Sequence, residues 1–260
     1  MVEVVIGFAA GLLISVLTTP VGVSGAVFLL PVQLSVLGVP NPAVTPTNLL
    51  FNVVSGPGAL LRYGRRGGLT GPLTRLMLTG TLPGVVLGAI IRVYAVPGPR
   101  AFRIIVAALL LPLGAWLCAR TLMSRRTTLA KPAPSPRTVT VLSLAVGVVG
   151  GIYGIGGGSI LGPILVGRGM PVAMVAPAAL ASTFVTSVAG AAAYAVLALG
   201  EGGDIAPHWT IGLACGAGGL IGGYLGARLQ PRMPEKGLRL LLGGMAMAVA
   251  VLYVALSITN

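Results

Sequence analysis

Residues 150–163 read GGIYGIGGGSILGP, with Gly154, Gly156, Gly157 and Gly158 inside five positions and Ser159 directly behind them. Three adjacent glycines cannot form one face of a helix, and each costs about 1 kcal/mol in a helix interior relative to alanine. Helical hydrogen bonding is therefore expected to lapse here and resume just afterwards. The first N–H groups of the new helix lack intrahelical acceptors and carry a partial positive charge. That is the chemistry of an anion site, and glycine lets the backbone approach a ligand closely. The stretch has neither the G-x-G-x-x-G spacing of a dinucleotide fingerprint nor the Lys-Ser/Thr ending of a phosphate loop.

A degenerate copy lies earlier in the chain. VGVSGAVFLLPV at 21–32 aligns with YGIGGGSILGPI at 153–164, placing Gly22 on Gly154, Gly25 on Gly157 and Pro31 on Pro163. VTPTNLL at 44–50 aligns with VAPAALA at 175–181, Ser55 and Gly58 fall on Ser187 and Gly190, and Arg92 and Arg103 are paired with Arg228 and Arg239. The chain is thus read as two repeats, 1–123 and 138–260, joined by a basic, proline-rich cytoplasmic linker at 124–137.

The candidate substrate-binding set is Gly22, Ser24 and Gly25 from the first break and Gly156, Gly157, Gly158 and Ser159 from the second. To these the third apolar segment of each half adds polar residues. Asn48, Asn52 and Ser55 share a helical face, and Ser182, Thr183, Thr186 and Ser187 cluster in the other half. Such groups either bond between helices, for about 0.6 kcal/mol on average, or line a path. Thr183, Thr186 and Ser187 join the candidate set with Asn48, Asn52 and Ser55; Thr18, Thr19, Gln33 and Tyr153 are weaker candidates.

The elements that must position these residues are set by composition. Of 260 residues 55% are hydrophobic and 8% charged, and the mean hydropathy is +0.99. A soluble domain carries roughly 25% charged residues, so an all-α polytopic membrane protein is the class that fits. Each half holds about five apolar segments, at 3–19, 23–38, 43–61, 74–96 and 101–122, then 139–153, 158–168, 172–199, 208–229 and 237–258. The glycines at 80, 84 and 88, and at 212, 216, 218, 222 and 226, recur at helical spacing and read as packing faces. The amino terminus lacks a basic region and carries Glu3, so it reads as a retained segment.

The first two segments of each half are short and could form one broken crossing, two short crossings or a hairpin. Short cytoplasmic loops collect Lys and Arg. A single crossing would divide the 17 basic residues nine to eight between the faces, whereas an in-and-back pair puts fourteen inside and leaves Arg92, Arg100 and Arg103 outside. The second arrangement inverts one half relative to the other, with both termini outside. Inverted repeats with broken helices are a plan of secondary transporters, whose substrate site lies at the midplane.

All four acidic residues, Glu3, Glu201, Asp204 and Glu235, fall at segment ends or in loops, and the single histidine, His208, opens a segment. No carboxylate is expected in the membrane to carry a proton. No nucleophile–base pair or metal cluster is visible, so neither enzyme activity, nor a metal, nor a cofactor is expected. Cys118 and Cys215 lie far from either glycine break in sequence, which argues against a thiol in substrate binding. The net charge of +13 is explained by loop arginines rather than by nucleic acid.

The repeated motif, Gly154-Ile-Gly-Gly-Gly158 through Pro163, with Gly22-Val-Ser-Gly25 through Pro31 and the helix TFVTSVAG at 183–190, resembles the sulfite exporter TauE/SafE family of membrane transporters. The resemblance spans nearly the whole chain. It implies transport of a small sulfur-containing oxyanion or organosulfonate (sulfite, sulfoacetate or thiosulfate) through the bacterial cytoplasmic (inner) membrane. An anion channel of the same architecture is the alternative. Expected partners are a small anionic substrate and the lipid bilayer, with a homo-oligomer an open option.

Overall fold

A computed structural model describes residues 1–41, 43–65, 69–95, 99–123, 134–200 and 205–258. The basic stretch 124–133 and the acidic pair Glu201 and Asp204 lie outside the described residues. Among those described there are ten α-helices and no strand. The first half contributes α1 (Val2–Thr18), α2 (Ala26–Ser35), α3 (Val44–Gly64), α4 (Pro72–Tyr94) and α5 (Pro99–Met123). The second contributes α6 (Pro136–Tyr153), α7 (Gly158–Gly167), α8 (Val172–Gly200), α9 (Trp209–Leu229) and α10 (Glu235–Ile258). Six of them are long and apolar enough to cross a membrane. The chain is an all-α, multi-pass membrane protein.

α2 and α7 have only ten residues each, about 15 Å of helix and half of a bilayer core. The resumption of helix matches the sequence expectation closely, starting at Ala26 and at Gly158. Each break turns at a glycine with positive φ in the same repeat position, Gly22 at 78° and Gly154 at 68°. Each half-helix carries a proline at its sixth residue, Pro31 and Pro163, which withholds one backbone donor from the helix.

Small residues set which helices meet. A Cβ on Gly218 or Gly222 would fall 2.0 and 2.2 Å from the carbonyl oxygens of Phe8 and Leu12 on α1. A Cβ on Gly80, Gly84 or Gly88 would fall 2.4, 2.5 and 2.2 Å from those of Thr140, Leu144 and Val148 on α6. Only glycine allows these helices to come so close. The glycine ladders thus do pack helices, and they do so between halves: α9 against α1, and α4 against α6. This register corrects one sequence alignment. Gly80, Gly84 and Gly88 correspond to Gly218, Gly222 and Gly226, so Arg92 corresponds to Gln230 and not to Arg228. Arg228 is exposed, whereas Arg92 and Gln230 are both buried. Arg92 occupies the last turn of α4 at 1% exposure.

The order of contacts also fixes relative directions. Residues 8 and 12 meet 218 and 222 in ascending order, so α1 and α9 run parallel; so do α4 and α6. Gly56 meets Phe184 and Leu49 meets Gly190, so α3 and α8 run antiparallel. Cys118 lies against Leu240 and Gly243 while Gly114 lies against Gly243 and Met247, an antiparallel pairing of α5 with α10. α2 returns beside α3, with Gly25 at Phe51 and Ala26 at Asn48, and α7 returns beside α8, with Gly158 at Ala179 and Gly162 near Val175.

Candidate functional site

The two breaks meet through one side chain. Asn52, on α3 and 2% exposed, accepts a hydrogen bond at Oδ1 from the Ser24 hydroxyl. Its Nδ2 donates to the Gly154 carbonyl oxygen at 3.4 Å. Ser24 Oγ in turn accepts from the Ala26 N–H at 3.1 Å. A polar chain therefore runs from the start of α2, through Ser24 and Asn52, to the turn before α7. The glycine turns also interlock: a Cβ on Gly22 would lie 2.5 Å from Ala176 Cα on α8, and a Cβ on Gly154 would lie 2.2 Å from the Thr45 carbonyl oxygen on α3. Ala176 and Thr45 each precede the repeated proline, Pro177 and Pro46. Each break thus rests on the third helix of the opposite half.

Beside Asn52 lies a polar cavity of about 20 Å³, room for about one water molecule. The first half lines it with Ser15, Thr19, Ser24, Gly25, Asn52 and Ser55, and the second with Leu180, Thr183, Phe184, Gly219 and Gly223 among others. Of the thirteen sequence candidates, the structure places Ser24, Gly25, Asn52, Ser55 and Thr183 on its wall. A second group packs immediately behind Thr183. Ser159 Oγ lies 3.3 Å from Thr183 Oγ1 and donates to the Ile155 carbonyl at 2.7 Å. Gly156, with φ of 72°, sits against Thr183 and Ser187, and Gly158 against the Ala179 carbonyl. Thr186 Oγ1 accepts from the Gly157 N–H at 3.0 Å.

Gly22 and Asn48 stand apart from the cavity. Gly22 packs on Ala176, and Asn48 Nδ2 donates to the Ala26 carbonyl at 3.0 Å. That bond ties α3 to the first turn of α2. Asn48 Oδ1 and Ser187 Oγ are buried without a hydrogen-bond partner. The weaker candidates divide similarly: Thr19 lines the cavity, whereas Gln33 is fully buried on α2 with neither amide atom bonded.

One expectation is modified. The helix-start amides at the breaks do not open onto bare space in this conformation: Ala26 N–H is held by Ser24 and Gly157 N–H by Thr186. The reason is size. A cavity fit for one water leaves the amides to be satisfied by neighbouring hydroxyls, since an unpaired buried donor costs about 1–3 kcal/mol.

Sequence reasoning missed two features here. Ser15 continues the buried face Gly7–Gly11–Ser15 of α1, and that four-residue spacing was its available signal. A tyrosine strap repeats in both halves: Tyr63 OH donates to the Thr19 carbonyl at 3.3 Å, and Tyr194 OH to the Gly151 carbonyl at 3.0 Å. These join the end of each third helix to the residues before each break.

Against this geometry, the family model of the sulfite exporter TauE/SafE matches residues 7–253. The chain belongs to the sulfite exporter TauE/SafE family. TauE/SafE proteins are membrane transporters for sulfur anions such as sulfite, and the matched span takes in α2 to α9 whole, most of α1 and α10, both glycine breaks and the cavity between them. No curated protein matches the chain. The TauE/SafE match agrees with the resemblance carried by the glycine motifs and places the chain in a family of transporters.

Proposed function

We propose that this protein is a secondary transporter for a small sulfur-containing oxyanion or organosulfonate, of the sulfite, sulfoacetate or thiosulfate class. In this reading the substrate binds between two inverted halves of the bacterial cytoplasmic membrane protein, at the cavity beside Asn52. The observation that carries the reading is the bridge Ser24–Asn52–Gly154, which ties both glycine breaks to one polar cavity. Hydroxyl and amide donors from both halves converge there, namely Ser24, Ser55 and Thr183 with Asn52. Neutral donors suit an anion that must also leave, because a buried cation at the same place would hold it too strongly.

The antiparallel pairings of α3 with α8 and of α5 with α10 support the inverted arrangement. A cavity of about 20 Å³ has room for about one water molecule and is too small for an oxyanion of four or more heavy atoms. Loading therefore requires the halves to move apart, which favours a carrier over an open channel. A change of χ1 at Ser24 and Thr186 would then free the Ala26 and Gly157 amides for the anion.

Two experiments test this. Purified protein is screened for binding of sulfite, thiosulfate, sulfoacetate, taurine and small carboxylates, with sulfur oxyanions expected to bind best. Counterflow in proteoliposomes is expected to show uptake stimulated by substrate on the far side; a plain channel shows none. The topology is checked separately. Gly38 and Gly169 follow α2 and α7, have positive φ and would place a Cβ in open space. In a variant lacking Cys118 and Cys215, Gly38→Cys is expected to label with an impermeant thiol reagent only from outside, and Gly169→Cys only from the cytoplasm. Labelling of both from one face would exclude inversion.

A further inference from the structure

The polar cavity lies to one side of Asn52. On α3 its wall runs from Asn52 through Ser55 to Ala59, toward the end that carries Arg62 and Arg65, and Leu180 and Gly223 complete it there. The duplicated plan gives each of these residues an equivalent on the opposite side. Counted from the aligned prolines Pro46 and Pro177, Ala59 corresponds to Gly190, Leu180 to Leu49 and Gly56 to Ser187. The same count pairs the strap tyrosines, Tyr63 with Tyr194, and shifts by one residue the pairing of Gly58 with Gly190 taken from the sequence. The glycine ladders, which place Gly80 on Gly218, place Val85 on Gly223.

The contacts follow this symmetry, but the filling of space does not. On the cavity side Gly223 lies against Ala59, and a Cβ on it would meet only ordinary contacts, 3.4 Å from the Ala59 nitrogen and 3.6 Å from its Cβ. On the other side Gly190 lies against Val85. A Cβ there would stand 2.9 Å from Val85 Cγ1 and 3.2 and 3.3 Å from the two methyl carbons of Leu49. Val85 and Leu49 are both wholly buried. A branched side chain of α4 thus fills the space that α9 leaves empty. One turn earlier Thr81 stands where α9 has Gly219, its hydroxyl donating to the Met77 carbonyl at 2.8 Å and lying 3.1 Å from Ser182 Oγ. On the same side Ser187 is buried and its hydroxyl has no hydrogen-bond partner, whereas its equivalent Gly56 lines the cavity.

We infer that Val85, together with Leu49, is the gate that holds the outer side of the substrate path shut, and that opening it adds the Ser187 hydroxyl to the wall of the site. The inference rests on the transporter reading and its topology. A carrier of duplicated plan works by letting its two sides trade shapes about a fixed site. Here the trade is unequal. Closing the inner side brings a glycine onto an alanine, whereas opening the outer side must lift Val85 and Leu49 off Gly190. The difference in buried apolar surface favours the conformation with its cavity on the inner side.

The test is labelling with an impermeant thiol reagent in right-side-out and inside-out vesicles, in the variant lacking Cys118 and Cys215. Ala59→Cys is expected to react from the cytoplasmic face, and Ser187→Cys only slowly from outside. Adding Val85→Ala should speed outside labelling of Ser187→Cys about tenfold, the worth of two buried methyl groups. Val85→Thr keeps the shape and should leave that rate within about twofold. Gly223→Ala needs no cavity at the gate: by covering the inner side it should also speed outside labelling of Ser187→Cys. An unchanged rate in both Val85→Ala and Gly223→Ala, or equal acceleration from both faces, would overturn the inference. So would outside labelling of Ser187→Cys, with Val85 intact, as fast as inside labelling of Ala59→Cys. The Gly38→Cys and Gly169→Cys labels fix the faces independently. Absence of sulfite counterflow in the unaltered protein would count against the transporter reading and not against the gate, which the labelling alone decides.

Discussion

Asn52→Asp is expected to abolish oxyanion transport while the protein remains folded in the membrane. The substitution changes one atom type and leaves an acceptor for the Ser24 hydroxyl. The bond it loses, from Nδ2 to the Gly154 carbonyl, is long at 3.4 Å and contributes little. What it adds is a negative charge on the wall of the cavity that Ser24, Ser55 and Thr183 line from both halves. Two like charges about 4 Å apart at an effective dielectric near 20 repel by about 4 kcal/mol, roughly a thousandfold in affinity. Asn52→Leu provides the neutral reference. It removes the bridge without adding charge and should lose about ten- to a hundredfold, the worth of one or two net hydrogen bonds. Counterflow of labelled sulfite, with thermal unfolding in detergent as the control for folding, separates the two. Sulfite transport by Asn52→Asp at the unaltered rate would remove Asn52 from the substrate site.

The second large effect is expected at the turns. Gly154→Ala and Gly22→Ala each place a side chain in the left-handed region, at φ of 68° and 78°, for about 1–2 kcal/mol. Each new Cβ also meets backbone of the opposite half, the Thr45 carbonyl at 2.2 Å and Ala176 Cα at 2.5 Å. Overpacking of that kind adds about 1–3 kcal/mol. Each variant should therefore lose about 2–5 kcal/mol of stability and most transport, since the interlocked turns position the donors around Asn52. Gly244→Ala is the contrast: it lies in α10 with nothing within 4 Å of the new Cβ, so it should be neutral or up to about 1 kcal/mol stabilising. Melting temperatures in detergent check all three. Equal melting of Gly154→Ala and Gly244→Ala would refute the interlocking.

Much of the site was legible because its signals are local. Three adjacent glycines interrupt a helix wherever they occur, so the starts of α2 and α7 could be read from residues 22–25 and 154–158 alone. The small-residue spacing at 80, 84 and 88 announced a close helix contact for the same reason. The polar positions Asn52, Ser55 and Thr183 stood out because amides and hydroxyls are few in apolar segments and need partners. What escaped was anything that required knowing the partner. Asn48 and Asn52 are one helical turn apart and identical in type. One ties α3 to Ala26 and the other bridges both breaks, a difference set entirely by what faces them. The sequence assigned Arg92 only to the end of an apolar segment and to the outer side of the membrane. Its burial and its hydrogen bonds to Asn41 and Thr45 appear only in the fold, and its counterpart Gln230 emerges only once the glycine ladders have fixed the register.

Two things therefore have separate origins. Composition and the glycine runs determined by themselves that this chain is a helical membrane protein with helices broken near residues 22–25 and 154–158, because hydrocarbon penalises charge and unpaired backbone regardless of neighbours. Only the tertiary structure decided which polar groups converge, that the helix-start amides are capped by Ser24 and Thr186, and that the cation at the end of α4 is buried. Those outcomes depend on distances of a few ångströms between segments about 130 residues apart, and hydrogen bonds and charges act only at such range.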